Sequence, residues 1–314
     1  MGHEHTHGTS AGADRRWLTA SLLLLVAFMV AEVIAGVVAN SLALIADAGH
    51  LLTDAGALLL AVVISRLVTR PARGRYTYGL ARLDALSGQA NGITLILLAV
   101  WFTVEGIRRL VEPSQVHGAT VAIVALVGVA VNLVATGLAR RADRSSLNVR
   151  GVLAHLYSDL YAFGATFTAG LVVLWTGWLQ ADAVASLVVA ALMAWTGTGL
   201  VRKAGRVFLE AAPDGVDPDD LGQDLASAEG VSEVHDLHVW VLGSSAAALS
   251  AHVLVDPSYD CHAVAATLRD HLSATYGIGH VTLQVDHSDT TEHDANNCAD
   301  AHGVIHTAPA QSAG

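Results

Sequence analysis

The sequence contains two copies of one short pattern, a histidine followed four positions later by an aspartate. The first copy is His50 with Asp54, and the second is His155 with Asp159. Side chains four positions apart on an α-helix project from the same face, so each pair would present an imidazole and a carboxylate together. Two such pairs offer two nitrogen and two oxygen donors. This set suits tetrahedral coordination of a divalent metal, Zn²⁺ first.

The first pair lies in apolar surroundings. The apolar segment from about Leu42 to Val68 is long enough to cross a bilayer. An ionised aspartate near the bilayer centre costs about 3 kcal/mol on insertion scales, so it requires a partner or a function. Asp47 lies one turn before His50 on the same side. We predict that Asp47 supports the ligands through hydrogen bonds without binding the ion itself.

The composition is that of a membrane protein with a water-soluble extension. Of 314 residues, 53% are hydrophobic and only 14% are charged, whereas a soluble domain carries about 25% charged residues. All but one of the 17 lysines and arginines precede Val207, and most of the 28 acids follow it. This split predicts a membrane domain over residues 17–206 and an acidic, water-facing domain over residues 207–290. The two cysteines, Cys261 and Cys298, do not indicate a disulfide framework.

Six mostly apolar segments of about 20 residues or more are predicted to span the membrane as α-helices. Their approximate bounds are Trp17–Ala39, Leu42–Val68, Leu83–Leu110, Ala119–Ala139, Val149–Thr176 and Leu179–Val201. Basic residues cluster before the first segment and after the second, fourth and sixth, so they fall on one side only if there are six spans. The positive-inside rule then places both termini in the cytoplasm. The expected location is the plasma (inner) membrane of a bacterium.

Two further acids lie within these segments. Glu32 either lines the path of the ion or forms a hydrogen bond to a neighbouring helix. Asp182 stands at the start of the sixth segment, where we expect it to cap the helix.

Beyond residue 207 the pattern changes to short strands and helices. The predicted elements are a helix from Asp217-Pro218 to about Ala228, strands Val231–Leu242 and Ala247–Val255, a helix within Asp256–Tyr276 and a strand His280–Asp286. This α-β-β-α-β order predicts a small two-layer α+β domain. A domain of about 80 residues buries only a modest core, so we expect it to dock onto a second copy.

The two ends of the chain are polar. Residues 1–16 include His3, His5 and His7, and form either a solvated cytoplasmic tail or a weak metal-collecting segment. Residues 291–314 are predicted to be disordered.

The soluble domain is rich in histidine. Seven histidines occur within a short stretch: His235, His238, His252, His262, His271, His280 and His287. Such a density predicts one or more metal sites, although spacing alone does not determine which side chains converge because they belong to different elements.

With these residues in view, the chain resembles the cation diffusion facilitator family of divalent-metal/proton antiporters, from about Trp17 to His287. The resemblance is carried by the segment Asn40–Asp54, by His155-x-x-x-Asp159, by Tyr78-Gly79-x-x-Arg82 and by the segment His235–Trp240. Together these motifs are specific, whereas a single His-x-x-x-Asp is not.

The resemblance implies a six-helix transporter with a cytoplasmic ferredoxin-like domain, working as a homodimer in the lipid bilayer. It implies that the transport site consists of His50, Asp54, His155 and Asp159. It also implies cytoplasmic metal ligands, namely His235, His252, His262 and Asp286, with His238 and His287 as further candidates. The expected function is efflux of Zn²⁺, and also of Cd²⁺ or Co²⁺, in exchange for protons, with additional Zn²⁺ regulating the soluble domain. No nucleic acid or organic substrate is expected.

Two other functions fit parts of the pattern. A membrane zinc hydrolase needs an open coordination position and a general base. The sequence contains neither His-Glu-x-x-His nor a nucleophile motif, so we expect no enzymatic activity. A metal-sensing membrane scaffold would need the soluble histidines but not the two intramembrane pairs.

Overall fold

A computed structural model describes residues 10–68, 70–139, 147–242, 246–288 and 304–307 of the chain. Only the backbone is described at residues 10–22, 25, 57–58, 61–62, 65–66, 68, 138–139 and 147–158. The chain divides into two compact units. The first contains the residues up to Val62 together with Gly88–Val201, and the second contains Val63–Ser87 together with the residues from Arg202 onward.

Six long helices form the first unit, and three of them continue into the second. They are α1 (Ser10–Ala39), α2 (Leu42–Val68), α3 (Leu83–Val111), α4 (Gly118–Ala139), α5 (Leu147–Thr176) and α6 (Gln180–Phe208). Among the described residues, four stretches are long and apolar enough to cross a membrane: Leu83–Val111, Gly118–Gly137, Asp159–Thr176 and Gln180–Phe208. Large apolar side chains such as Leu97 and Trp195 point outward, as a lipid environment requires. The predicted six-helix membrane architecture is confirmed.

Small residues let these helices approach closely. A Cβ atom added to Gly92 of α3 would lie 2.8 Å from the carbonyl oxygen of Gly197 in α6, and one added to Gly197 would lie 2.7 Å from the Gly92 oxygen. The two helices therefore touch backbone to backbone. In lipid, where the hydrophobic effect does not hold helices together, such close packing supplies much of the attraction.

The turn between α1 and α2 is held by contacts from other helices. Asn40 adopts a left-handed conformation with φ of 52°, and Arg109 Nη1 donates to the Asn40 carbonyl oxygen at 2.8 Å. Asp182 of α6 accepts from the Ser41 hydroxyl and, at 2.7 Å, from the Leu42 backbone N–H. The prediction that Asp182 caps its own helix is therefore wrong. It caps α2, because the first N–H groups of a buried helix need an acceptor.

The second unit contains the small α+β domain. Its elements are α7 (Pro218–Ala226), β1 (Val231–Val241), β2 (Ala247–Val255), α8 (Cys261–Tyr276), β3 (His280–His287) and β4 (His306–Thr307). The strand order is β3-β2-β1-β4, with β1 antiparallel and β3 parallel to β2. Leucines of α7 and α8, such as Leu225 and Leu268, pack with Leu249 and Val253 in one buried core. The predicted α-β-β-α-β order is confirmed.

The strand β4 was not expected, because the whole segment 291–314 is predicted to be disordered. His306 and Thr307 instead pair with Val234 and Glu233 of β1, and Gln223 Nε2 donates to the Thr307 carbonyl oxygen at 3.1 Å. The prediction fails here because an open sheet edge can pair with a segment that has no strand-like pattern of its own. Residues 10–16, predicted to belong to a polar tail, instead form the first turns of α1. The predictions for His3, His5, His7, Cys298 and the other residues of 1–9, 289–303 and 308–314 concern residues outside the described ranges.

Candidate metal centre

The helical spacing of α2 brings His50 and Asp54 together as the sequence predicts. His50 Nδ1 lies 3.4 Å from Asp54 Oδ2, and the side chains are only 7% and 20% exposed. The Thr53 hydroxyl donates to the His50 carbonyl oxygen at 2.7 Å, so this polar side chain is satisfied within its own helix. The imidazole and the carboxylate thus share one buried face of a membrane helix.

The third member of the site comes from α5. Asp159 Oδ1 lies 3.7 Å from His50 Nε2, and its side chain is 2% exposed. Ligand-type atoms of His50, Asp54 and Asp159 all lie within 4.8 Å of one another, and no other three such residues meet this condition in the described part of the chain. Ligands about 2.1 Å from one tetrahedral Zn²⁺ are about 3.4 Å apart. The three groups could therefore converge on a single ion with small side-chain rotations.

Small residues bring α2 and α5 close enough for this contact. Ala46 of α2 and Ala162 of α5 belong to one buried cluster, and Ala43 and Ala169 belong to another. Larger side chains at these positions would force the helices apart, and the three polar groups would then lie too far apart to share an ion. The site is consequently as much a product of these alanines as of the ligands.

Two further membrane residues, His155 and Asp47, are predicted to belong to this site. His155 belongs to α5 and precedes Asp159 by one turn, but its side chain lies outside the described residues. Its role as the fourth ligand remains a prediction. Asp47 is buried, with 1% of its surface exposed, and precedes His50 by one turn. Its burial agrees with its predicted position behind the ligands, but its role is likewise a prediction.

Two of the histidines predicted in the soluble domain face each other across neighbouring strands. His235 of β1 is the register partner of His252 in β2, and their ring centroids are 5.4 Å apart. His235 Nδ1 also lies 2.9 Å from Glu233 Oε1. The core of this domain is formed by Ala251, Val253 and their neighbours, so His252, whose side chain alternates with theirs, belongs to the opposite face of the sheet.

Sequence reasoning did not select Asp236, which joins the two strands of this histidine cluster. Its Oδ1 lies 2.9 Å from His238 Nε2 and its Oδ2 lies 3.6 Å from His252 Nε2. Asp236 has a φ of 51° and sits where the β1–β2 register shifts between His235 and His238. Such a bulge turns a side chain away from strict alternation. The only signal in the sequence is that aspartate tolerates the left-handed conformation.

The other predicted cytoplasmic ligands are more scattered. Asp286 Oδ2 accepts from Gln284 Nε2 at 3.0 Å on β3, and His287 Nε2 lies 3.1 Å from the carbonyl oxygen of Tyr259. His262 is exposed in the first turn of α8, where its backbone N–H donates to Asp260. Within the described ranges, the structure does not gather three of these groups at one point.

His271 of the soluble domain contacts a carboxylate of a neighbouring helix and was not predicted to be a metal ligand. His271 Nε2 of α8 lies 2.6 Å from Asp224 Oδ2 of α7, which also accepts from the Tyr276 hydroxyl at 3.0 Å. The hydrogen bond from His271, followed by the weaker one from Tyr276, holds the pKa of the Asp224 carboxyl below its ordinary value. This cluster ties the two helices of the domain together.

Comparison with known proteins covers both units. The cation efflux transmembrane domain matches residues 18–209, and the dimerising cytoplasmic domain of cation efflux proteins matches residues 213–288. The chain is 32% identical over 301 residues to the cadmium, cobalt and zinc/H(+)-K(+) antiporter of Bacillus velezensis, covering 95% of each protein.

Two further relatives show the same level of similarity. The zinc transporter ZitB of Pectobacterium atrosepticum is 32% identical, covering 98% of this chain and 93% of the relative. The metal cation efflux system protein CzcD of Cupriavidus metallidurans is 32% identical, covering 94% of this chain and 92% of the relative. With matches of this extent in both domains, the chain belongs to the cation efflux (cation diffusion facilitator) family, whose members are transporters and not enzymes.

Proposed function

We propose that this protein exports Zn²⁺ from the cytoplasm in exchange for protons, through an intramembrane site formed by His50, Asp54, His155 and Asp159. The observation that carries the proposal is the meeting of His50, Asp54 and Asp159 inside a bundle of apolar helices, with ligand atoms within 4.8 Å of one another. Groups of this kind are costly inside a membrane and mark ion pathways.

The choice of metal is supported by the donor set and by the names of the relatives. Nitrogen donors from histidine favour Zn²⁺, Cd²⁺ and Co²⁺ over harder ions such as Mn²⁺ and Mg²⁺. Relatives at 32% identity are named for the transport of cadmium, cobalt and zinc or of zinc alone. Two carboxylates neutralise the charge of one divalent ion, which lowers the cost of holding it in a low-dielectric interior.

The geometry of His50 suits an exchange of metal for protons. Its two ring nitrogens face different carboxylates, Asp54 at 3.4 Å and Asp159 at 3.7 Å. A protonated imidazole in this position would be stabilised by both carboxylates once the metal has left. Conversely, the ligands must release protons in order to bind metal. The same groups would thus hold either the metal or the protons, but not both.

The proposed orientation of the protein in the membrane rests on the distribution of basic residues. Arginines and lysines flank the ends of α2 and α6 near Arg70 and Arg206, whereas the α1–α2 turn at Asn40-Ser41 carries none. The positive-inside rule places the former ends in the cytoplasm and the turn outside. This arrangement puts both termini and the acidic α+β domain in the cytoplasm, in the plasma membrane of a bacterium.

We also propose that cytoplasmic Zn²⁺ binds the soluble domain of the homodimer and favours transport. The histidines and acids on the open face of the sheet support this role, with His235, His252 and Asp236 in contact distance. His238 lies on β1 with His235, Asp286 lies on the neighbouring strand β3, and His262 and His287 complete the predicted set.

Zinc flux into proteoliposomes tests the transport site. Asp54→Ala and His155→Ala should each reduce zinc flux to the level of empty liposomes, because either change removes one of four ligands. Thr168→Ala is the control, since the Thr168 hydroxyl is exposed and bonds only to the Gly164 carbonyl oxygen of its own helix at 2.8 Å.

Equal elution on size exclusion would show that the variants fold. If both ligand variants transport zinc like the parent, the site assignment is wrong. If the parent itself carries no zinc while its soluble domain binds the metal, the protein is a sensing scaffold.

A further inference from the structure

Two carboxylates near the transport site, Glu32 and Asp47, are not among the four ligands proposed above, and Asp47 is predicted only to support them. Glu32 of α1 is completely buried, and neither of its carboxylate oxygens has a hydrogen-bond partner among the described residues. Asp47 of α2 is 1% exposed, and its Oδ2 is likewise unmatched there. A buried carboxylate without hydrogen bonds is costly, so groups of this kind are retained where a ligand compensates them.

An apolar layer fixes the position of these two acids along the helices. The layer consists of Phe28, Leu51 and Phe163, which form one buried cluster, and the two rings meet edge to face with centroids 5.6 Å apart. Glu32 lies one turn beyond Phe28 in α1, and Asp47 lies one turn before Leu51 in α2. Since α1 runs toward the Asn40-Ser41 turn and α2 runs away from it, both acids lie on the turn side of this layer.

The transport site lies farther from the turn. Along α2, Asp47 is about 4.5 Å nearer to the turn than His50 and about 10 Å nearer than Asp54, at 1.5 Å per residue. Asp159 precedes Phe163 by one turn in α5, which runs in the same direction as α1, and so lies on the other side of the layer. The Glu32–Asp47 pair is therefore displaced toward the end of the bundle where we propose that zinc leaves.

The neighbouring charges also favour a cation at the pair. If both were ionised, Glu32 and Asp47 would repel each other, and an ionised Asp159 would repel both. Like charges interact strongly in a low-dielectric interior. A divalent cation placed between Glu32 and Asp47 would turn the repulsion into attraction and would leave the pair neutral.

From this placement we propose that Glu32 and Asp47 form a second divalent-cation subsite, which receives the exported ion after it leaves His50, Asp54 and Asp159. Two carboxylates lack the imidazole nitrogens that make the inner site selective for Zn²⁺, so they hold the ion more weakly. Passage through several sites, of which the outer ones bind less tightly, lets an ion enter readily and still leave. The inference rests on the proposed export function.

The first experiment uses the isosteric change Glu32→Gln in the full-length protein reconstituted in liposomes. Glutamine has the shape and hydrogen bonding of a neutral glutamic acid but cannot neutralise a cation. We expect the maximal rate of zinc transport to fall at least tenfold while the KM for zinc on the cytoplasmic face is unchanged, because the inner site is intact. Glu32→Asp should retain more of the rate, since it keeps the charge.

A matched control is Glu112→Gln, which neutralises an exposed glutamate in the connection between α3 and α4 and should leave the rate at the parental value. If Glu32→Gln transports at the parental rate, the carboxylate acts only as a neutral group and the subsite is overturned. This outcome does not contradict the proposed function, because Asp54→Ala and His155→Ala test that function separately in the same assay.

A second experiment detects the ion directly and does not require transport. Equilibrium dialysis with radioactive zinc compares the full-length variant His50→Ala with the triple variant His50→Ala, Glu32→Gln and Asp47→Asn. Both variants keep the same cytoplasmic domain, so the zinc bound there is the same in each and does not affect the difference between them. We expect the triple variant to bind less zinc per protomer at millimolar metal. Equal binding by the two proteins would overturn the subsite, even if Glu32→Gln also slows transport.

Discussion

At the residue scale, the proposed preference of the membrane site for Zn²⁺ rests on His50. An all-carboxylate site would suit hard ions, whereas a ring nitrogen shifts the preference toward Zn²⁺. His50 also lies between two acids, with a different nitrogen facing each one. In the proposed mechanism this one side chain both binds the metal and faces the two carboxylates once the metal has left.

The contact between His271 and Asp224 contributes to the stability of the soluble domain. Because the bond from His271 lowers the pKa of Asp224 in the folded state, the charged carboxylate stabilises the fold above its ordinary pKa of about 4. This contribution is lost as the pH falls through the lowered pKa. Asp224→Asn should cost about 1 kcal/mol at pH 7, since both side chains are about two-fifths exposed and solvent weakens the pair. The cost should shrink below pH 4.

Urea unfolding of the full-length protein in detergent would test this pH dependence. The readout is the fluorescence of Trp240 in β1, with the other tryptophans replaced by phenylalanine. Asp270→Asn, an exposed neighbour of His271, is the control and should behave like the parent at both pH values. A difference between Asp224→Asn and the parent that grows on acidification would contradict the assignment.

Residues with local causes could be predicted from the sequence, and residues placed by tertiary contacts could not. His50 and Asp54 meet because helical spacing alone puts them together. Asp236 owes its position to a bulge that arises only when β1 pairs with β2. Asp182 caps a helix 140 residues away in the chain, and nothing near it in sequence reveals that partner. Glu32 and Asp47 could each be noticed in the sequence as acids within apolar segments, but their burial without hydrogen-bond partners could not.

At the element scale, the membrane helices were predictable because each is a long apolar segment whose backbone groups must bond internally. The packing of these helices against one another was harder to predict. The alanines that join α2 to α5, and the glycines that join α3 to α6, are recognisable as small residues, but the sequence does not tell which ones face each other. The strand β4 could not be predicted either, since two residues are too few to show the alternation of polar and apolar side chains that is typical of a strand.

The crossing of α3 and α6 gives a prediction at this scale. Gly92→Ala adds a methyl group where a Cβ would lie 2.8 Å from the Gly197 carbonyl oxygen. The helices must then separate, which should cost about 1–3 kcal/mol as overpacking does elsewhere. Gly199→Ala is the matched control, because a Cβ there meets nothing within 4 Å.

Thermal unfolding in detergent would show a lower midpoint for Gly92→Ala and a change of at most about 0.5 kcal/mol for Gly199→Ala. Zinc flux measured on the same samples would show whether this crossing also matters for transport. Equal midpoints for the two variants would mean that the backbone contact does not contribute to stability.

At the scale of the whole molecule, the chain joins an apolar unit with basic edges to an acidic α+β domain, a division already visible in the composition. The division has a mechanistic consequence, because the acidic domain can concentrate cations on the side from which we propose that zinc enters. The membrane unit then exchanges the metal for protons taken from the other side. Transport should therefore depend on the difference in pH between the two sides and not on either pH alone.

Inside-out membrane vesicles, whose lumen corresponds to the external side, test this dependence. Zinc uptake should be several-fold faster when the lumen is one pH unit more acidic than the bath, because protons from the lumen displace the metal from its ligands. Collapsing the gradient with nigericin should return the rate to that of vesicles without a gradient. Vesicles containing Asp54→Ala measure the leak and should not respond. If uptake by the parent were the same with an acidic and an alkaline lumen, protons could not be the exchanged ion, and the carboxylates facing His50 would need another role.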